Sequence, residues 1–161
     1  MTPQDRNLRL GEILIQKGWI TDDILKGALR QRAASGRFLG VVLVENKRIS
    51  ETQLVTALSE QLGIPILKVQ DVQIDWEKVM KFPASLVLEH RCFPVIRDSE
   101  CVTFAITNPL DAWALKEAEH ASMGHSVNYQ LVTQSEMKKL LNQYHKYVGL
   151  RIRKLLTEES E

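Results

Sequence analysis

The first third of the chain carries a pattern of apolar and polar residues that repeats after 29 positions. Identical residues recur at that interval as Leu10 and Leu39, Gly11 and Gly40, Leu14 and Leu43, Ile20 and Ile49, Leu25 and Leu54, Ala28 and Ala57, and Leu29 and Leu58. In each copy the apolar spacing of three and four residues predicts a short helix, a turn and a longer helix. Thr21 and Ser50 are the predicted N-caps of the longer helices. Residues 1–63 are therefore predicted to form two tandem helical hairpins.

From residue 84 onward the pattern changes to short β-branched strands between helices. It predicts helix, strand, strand, helix, strand, helix over residues 84–147, with the first two strands antiparallel around a turn at "DSE". Asp111 is the predicted N-cap of the middle helix, and Trp113 is expected on its apolar side. Residues 64–83 read as a connector with one helical turn, and residues 148–161 as a solvated tail or linker. The predicted fold class is α+β, a helical subdomain followed by a small α/β subdomain of about three strands and three helices.

Composition excludes several classes of protein. A formal net charge of +1 creates no global field that attracts nucleic acid, so we expect no DNA partner. The longest apolar run, residues 39–44, is far shorter than a membrane span, and the N-terminus shows no signal-peptide stretch. We therefore expect a cytoplasmic protein with no direct membrane insertion.

The two cysteines flank the predicted hairpin of strands. A turn centred on Ser99 and Glu100 places Cys92 opposite Thr107, so no disulfide with Cys101 is expected. The chain has no CxxC pair, and its four histidines lack metal-ligand spacing, so we expect neither a metal nor a cofactor.

The repeated segment resembles a known family. "RLGEILIQKGWITDDILKGALRQR", its five-residue spacer "AASGR" and the second copy resemble the twin motif of the N-terminal, MshE-type domain of type II secretion and type IV pilus assembly ATPases. The turn in "AITNPLDAW" resembles the strand-to-helix turn in the α+β part of the same domain. The chain contains no G-x-x-x-x-G-K-[ST] phosphate-binding loop, so we expect no enzymatic activity from it alone.

The resemblance implies a ligand, cyclic di-GMP, and a set of residues that bind it. Arginine forks suit phosphates and guanine edges, glycine allows close backbone approach, and leucines at i and i+4 offer flat apolar surface. The residues implied by the motif are Arg9, Leu10, Gly11, Leu25 and Leu29 in the first copy, and Leu39, Gly40, Leu54, Leu58 and Gln61 in the second.

Three positions depart from the family motif. Arg32 replaces the closing Gln of the first copy, Phe38 replaces the opening cation of the second copy, and Lys47 replaces its internal Gly. Arg32 is still a hydrogen-bonding group, and Arg37 lies one position before the missing cation, so both are added to the candidate ligand residues.

Two functions remain open at this stage. The first is a regulatory domain that binds cyclic di-GMP and acts on a secretion or pilus ATPase domain, in cis or in trans. The second is a docking module without nucleotide binding, which attaches the ATPase to the cytoplasmic part of an inner-membrane assembly protein. Under the second function the repeated leucines are only packing residues, as in any helical hairpin. Either function places the chain at the periphery of the inner membrane through its partners.

Overall fold

The computed structural model describes residues 9–97 and 100–158, in two compact units that comprise residues 1–66 and 67–161. Within the described residues, the first unit is helical and the second combines helices with a three-stranded sheet. The predicted α+β fold class is confirmed.

Two short and two longer helices alternate along the first unit. They are α1 (Leu10–Gln16), α2 (Asp22–Ser35), α3 (Leu39–Glu45) and α4 (Glu51–Leu62). The side chain of Thr21 accepts a hydrogen bond from the backbone N–H of Ile24, and Ser50 accepts one from Gln53. Both residues are therefore N-caps, as predicted, and each satisfies an amide that has no partner within its helix.

Each longer helix packs against the short helix of the other repeat, so that α1 contacts α4 and α2 contacts α3. Exchanging the two repeats converts one contact into the other. The buried core follows the same rule, because it consists of four residues and their counterparts in the other repeat: Ile13, Leu14, Ile20 and Ala28 with Val42, Leu43, Ile49 and Ala57. The unit is thus pseudo-symmetric, and neither hairpin encloses this core alone.

The second unit follows the predicted order of elements. A 3-10 turn (Val69–Asp71) precedes α5 (Trp76–Val79), α6 (Ala84–Leu88), β1 (Phe93–Arg97), β2 (Cys101–Ile106), α7 (Ala112–Ala121), β3 (Ser126–Leu131) and α8 (Gln134–Glu158). β1 pairs with β2 antiparallel, as predicted, whereas β3 runs parallel to β2 because α7 crosses between them. The predicted turn between β1 and β2 includes residues 98 and 99, which lie outside the described residues.

The pairing of β1 with β2 shifts by one residue along the ladder. Arg97 lies opposite Val102, in the predicted register, but Phe93 lies opposite Ala105 because a bulge intervenes. The prediction that paired Cys92 with Thr107 is wrong in register, since the bulge inserts one extra residue in β1.

Both cysteines are free thiols. The Cys92 thiol is buried and donates toward the carbonyl oxygen of Ala114, with 3.7 Å between sulfur and oxygen. Burial, with a smaller contribution from Asp111, raises the pKa of Cys92 to about 12. Cys101 is half-buried, and its sulfur accepts a hydrogen bond from the side-chain amide of Asn128.

The first half of α8 closes the core of the second unit. Met137, Leu140 and Tyr144 are buried at helical spacing, as predicted, and the Tyr144 ring meets the edge of Phe93. Residues 148–161, predicted as a solvated tail or linker, are helical as far as Glu158 because α8 continues without interruption. No helix among the described residues is both long enough and apolar enough to cross a membrane.

A surface cluster fixes α5 to α8. The Tyr147 hydroxyl donates to Glu77 at 2.5 Å, and the Arg151 guanidinium donates to both oxygens of the same carboxylate at 2.9 Å. Trp76 stacks on the Tyr147 ring, with 5.5 Å between centroids. The hydrogen bond from Tyr147, which has the larger effect, and those from Arg151 hold the pKa of Glu77 below its ordinary value.

Trp113, expected on the apolar side of α7, is 63% exposed. That expectation is wrong because the buried side of α7 is formed by Ala114 and Ala118, whose small side chains allow the helix to approach the sheet. Asp111 is the N-cap, as predicted, and its carboxylate accepts from the backbone N–H of Ala114 at 3.0 Å.

Candidate ligand-binding surface of the twin repeat

The short helices begin at equivalent residues that carry different side chains. Arg9 and Phe38 are the N-caps of α1 and α3, and both have extended backbone. The Arg9 side chain is exposed, and its backbone N–H donates to the carboxylate of Glu12 at 2.9 Å. Phe38 is 41% exposed, and Val41 occupies the position equivalent to Glu12. The first repeat therefore offers a cation at this end, and the second offers an aromatic ring.

The motif glycines lie under leucines of the next helix. A Cβ on Gly11 would lie 2.7 Å from Cδ1 of Leu25, and a Cβ on Gly40 would lie 2.5 Å from Cδ1 of Leu54. Both distances are shorter than carbon atoms allow, so the absence of a side chain is what lets each leucine pack here. Leu25 and Leu54 are half-buried against the core, which gives them a packing role whatever else they do.

The remaining motif leucines differ between the repeats. Leu29 is 40% exposed, whereas its counterpart Leu58 is only 6% exposed. Leu10 and Leu39 are both half-buried against the core. Leu29 is thus the candidate leucine that presents the most apolar surface for a flat ring, and Leu58 is a core residue by its burial.

The polar candidates lie at the ends of the longer helices. Arg32 is exposed in the last turn of α2, and Gln61 is half-buried at the equivalent position of α4. Arg37, which follows α2, forms an ion pair with Glu45, the last residue of α3. The structure therefore joins Arg37 to an acidic residue rather than to another candidate.

Two hydrogen-bonded pairs between the repeats were not predicted. Lys17 Nζ lies 2.7 Å from Glu60 Oε1, and the Asn46 amide donates to Gln31 Oε1 at 2.7 Å. Lys17 is equivalent to Asn46, and Gln31 is equivalent to Glu60, so the two pairs are equivalent contacts of the two repeats. The repeat is the sequence feature that could indicate these pairs, because all four residues are polar and occupy positions related by the shift of 29 residues.

The internal Gly position has the same backbone conformation in both copies, although the second copy has Lys47 there. Gly18 and Lys47 close α1 and α3, and their φ angles are +69° and +56°. In both turns the following residue donates its N–H to the helix, from Trp19 to Leu14 and from Arg48 to Leu43. The backbone of the motif is therefore conserved in shape at Lys47, although the residue is not glycine.

The exposed candidate residues can offer two kinds of contact to a ligand, cationic and apolar. No group of three or more His, Cys, Asp or Glu side chains in the part of the chain that the structure describes is placed to hold a metal ion. Guanidinium groups at Arg9, Arg32 and Arg37 can bind anions, and the exposed apolar surface of Leu29 and Phe38 can cover a planar ring.

Comparison with known proteins decides the family. The MshEN domain family matches residues 62–149, just over half of the chain. The chain belongs to the MshEN domain family. This match includes the second unit only as far as residue 149, and the candidate ligand residues of this MshEN domain all lie before it, between Arg9 and Gln61.

Curated relatives extend the similarity over most of the domain. It is 31% identical over 144 residues to type IV pilus assembly ATPase PilB of Thermus thermophilus, covering 88% of this chain and 16% of that protein. The PilB of Myxococcus xanthus is 23% identical, with 88% and 25% covered. Bacteriophage adsorption protein B of Escherichia coli is 30% identical over 138 residues, with 85% and 18% covered. The chain thus spans a quarter or less of the length of these relatives.

Solved structures show the same fold. MshE with cdg, an abbreviation of cyclic di-GMP, aligns with a TM-score of 0.76 at 23% identity, covering 86% of this chain and 99% of that one. The N-terminal domain of XpsE aligns with a TM-score of 0.70 at 20% identity, covering 89% and 99%. The resemblance to the N-terminal domains of secretion and pilus ATPases is confirmed.

Proposed function

We propose that this MshEN domain is a non-catalytic regulatory domain of a type II secretion or type IV pilus assembly ATPase system, and that its twin repeat binds cyclic di-GMP. The observation that carries the proposal is the pseudo-symmetry of the first unit, in which core residues and polar contacts recur in both repeats. Cyclic di-GMP has two guanines and two phosphates in equivalent halves, so a duplicated scaffold suits it. The fold shared with MshE, solved with cdg, supports the same ligand.

The roles follow from the exposed groups. Arg9 binds a phosphate or a guanine edge through its planar fork, and Arg32 and Gln61 supply hydrogen bonds at equivalent helix ends. Leu29 provides apolar surface for a guanine. The glycines of the motif and the buried leucine Leu58 hold the shape of the unit rather than contact the ligand.

A docking function is the second candidate. The observation that favours it is Phe38, which is 41% exposed where the family motif has a cation. Under this function the domain attaches an ATPase domain to the cytoplasmic part of an inner-membrane assembly protein, and the twin repeat is scaffold. In both cases we place the domain in the cytoplasm, next to the inner membrane through its partners.

Isothermal titration of the whole chain with cyclic di-GMP tests the proposal, with GTP and linear pGpG as competing ligands. Arg9→Ala removes the exposed cation of the first repeat, and Arg153→Ala is the matched control because Arg153 is an exposed arginine of α8 in the second unit. A charged hydrogen bond is worth about 1.5–3 kcal/mol, so Arg9→Ala is expected to weaken binding about ten- to hundredfold while Arg153→Ala leaves it unchanged.

Equal loss in both arginine variants would show that binding is nonspecific attraction of an anion. Absence of binding by the wild-type chain would overturn the proposal that it binds cyclic di-GMP and would leave the docking function. Titration with the cytoplasmic part of an inner-membrane assembly protein then tests the docking function.

A further inference from the structure

We infer that Arg37 is the cation of the second half of the site and that Glu45 restrains it, so that an anionic ligand engages this half only by replacing the Glu45 carboxylate. The inference rests on the proposed function, because it concerns how the same site is made available. It assigns a role to Glu45, a residue outside the family motif.

The geometry of α3 separates the two ends of this ion pair. Arg37 precedes the first residue of α3 by two positions, and Glu45 is its last residue. A helix of seven residues is about 10 Å long, so the pair forms only if the Arg37 side chain extends along α3 toward its C-terminal end. The ion pair therefore directs the guanidinium toward the C-terminal end of α3, whereas Phe38, the position where the first repeat has Arg9, is the N-cap of this helix.

The restraint exists in one repeat only. The counterpart of Glu45 in the first repeat is Gln16, which is neutral and cannot hold a cation by charge. Arg9 forms no ion pair with any of the residues that the structure describes, 9–97 and 100–158. Among the described residues, the two halves of the proposed site therefore differ, because Arg37 has an ion-pair partner and Arg9 has none.

The pair is weak enough for a ligand to displace. The side chains of Arg37 and Glu45 are 56% and 47% exposed, and exposed ion pairs contribute little because water screens them. A phosphodiester accepts the same bidentate hydrogen bonds from a guanidinium as a carboxylate does. Glu45 therefore lowers the affinity of the second half without closing it, and its negative charge repels the incoming phosphate as well.

The test is a double-mutant cycle measured by titration of the whole chain with cyclic di-GMP. Glu45→Gln gives the second repeat the residue that the first repeat has, and it is expected to tighten binding about two- to fivefold, the range of one exposed ion pair. Arg37→Ala is expected to weaken binding and to abolish the gain from Glu45→Gln. Glu89→Gln is the charge-matched control, since Glu89 is an exposed carboxylate at the end of α6 in the second unit.

The outcomes separate failure of the inference about Glu45 from failure of the proposed function. If the wild-type chain binds and Glu45→Gln binds equally well, or if the gain persists in Arg37→Ala, the inference is wrong and the proposed function stands. If only Glu45→Gln binds, Glu45 blocks the wild-type site instead of being replaced by the ligand, so the inferred displacement and the binding proposed for the wild-type chain are both overturned. If neither chain binds, both the inference and the proposed function are overturned.

Discussion

Lys47 holds a backbone conformation that glycine adopts more easily, so replacing it should stabilise the first unit. Its φ of +56° lies in the left-handed region, where a side chain costs about 1–2 kcal/mol. Glycine avoids this cost, but it makes the unfolded chain more flexible, which offsets about 0.5–1 kcal/mol of the gain in stability. Lys47→Gly is therefore expected to raise the free energy of unfolding by about 0.5–1 kcal/mol.

Hydrogen exchange followed by mass spectrometry measures this change in the first unit separately from the second. Amides of α3 and α4 that exchange through opening of the unit should exchange about two to five times more slowly in Lys47→Gly, since tenfold corresponds to about 1.4 kcal/mol. Lys47→Ala is the matched control, because it removes the charge but keeps the Cβ. The reciprocal Gly18→Ala should accelerate exchange in the same unit, since Gly18 has a φ of +69°.

Two results would refute the reasoning. If Lys47→Ala slows exchange as much as Lys47→Gly, the gain comes from removing the lysine side chain and not from the backbone. If Lys47→Gly accelerates exchange while Gly18→Ala is tolerated, the two turns do not share the conformation described.

Two further predictions concern the second unit. Because Tyr147 and Arg151 lower the pKa of Glu77 from its ordinary 4.5, the stability that this carboxylate contributes is complete above that pH and is lost as the pH falls through the lowered pKa. Urea unfolding should therefore show a difference in stability between wild type and Glu77→Gln that is constant above about pH 5 and shrinks at lower pH. A difference that does not depend on pH would show that the charge of Glu77 does not stabilise the unit. Because burial raises the pKa of Cys92 to about 12, alkylation with iodoacetamide at pH 8 should label Cys101 first and reach Cys92 only after unfolding. A Cys101→Ser chain that is labelled as fast as wild type would show that the Cys92 site opens readily.

The repeat made the elements of the first unit predictable, but not their partners. Caps such as Thr21 and Ser50 act within a few residues, so local sequence determines them. The pairing of α1 with α4 and of α2 with α3 depends on contacts across the repeats, which periodicity within one helix does not encode. The pairs of Lys17 with Glu60 and of Asn46 with Gln31 escaped prediction for that reason.

In the second unit, too, the order of elements follows from local sequence, whereas their pairing depends on tertiary contacts. The element order was predicted because strands and helices differ in apolar period. Parallel pairing of β3 with β2 follows from the crossover through α7, which is tertiary. The buried side of α7 consists of alanines and gives a weak apolar pattern, so sequence alone favours the side of the large residue Trp113, which is exposed.

The assignment of ligand residues was the least predictable part. The motif implies that Gly11 and Gly40 allow close approach of a ligand, and the structure shows that each is closely approached by a leucine of the same chain, Leu25 or Leu54. Sequence position could not show that Leu29 is exposed while Leu58 is buried, nor that Arg37 has an acidic partner in Glu45. The difference between Leu29 and Leu58 arises from asymmetry in packing, which the repeat conceals, whereas the Arg37–Glu45 pair depends on a side chain that extends along α3.

The exchange of partners between the repeats also sets an order for folding. Only residues 36–38 join α2 to α3, whereas residues 17–50 separate α1 from α4, roughly a tenfold longer loop. Closing the longer loop costs about 2 kcal/mol more in chain entropy by the logarithmic dependence on loop length. On a ribosome, moreover, α1 emerges long before α4 exists. Two contacts that are equivalent in the finished unit are therefore expected to form at different times, the contact of α2 with α3 first and the contact of α1 with α4 last.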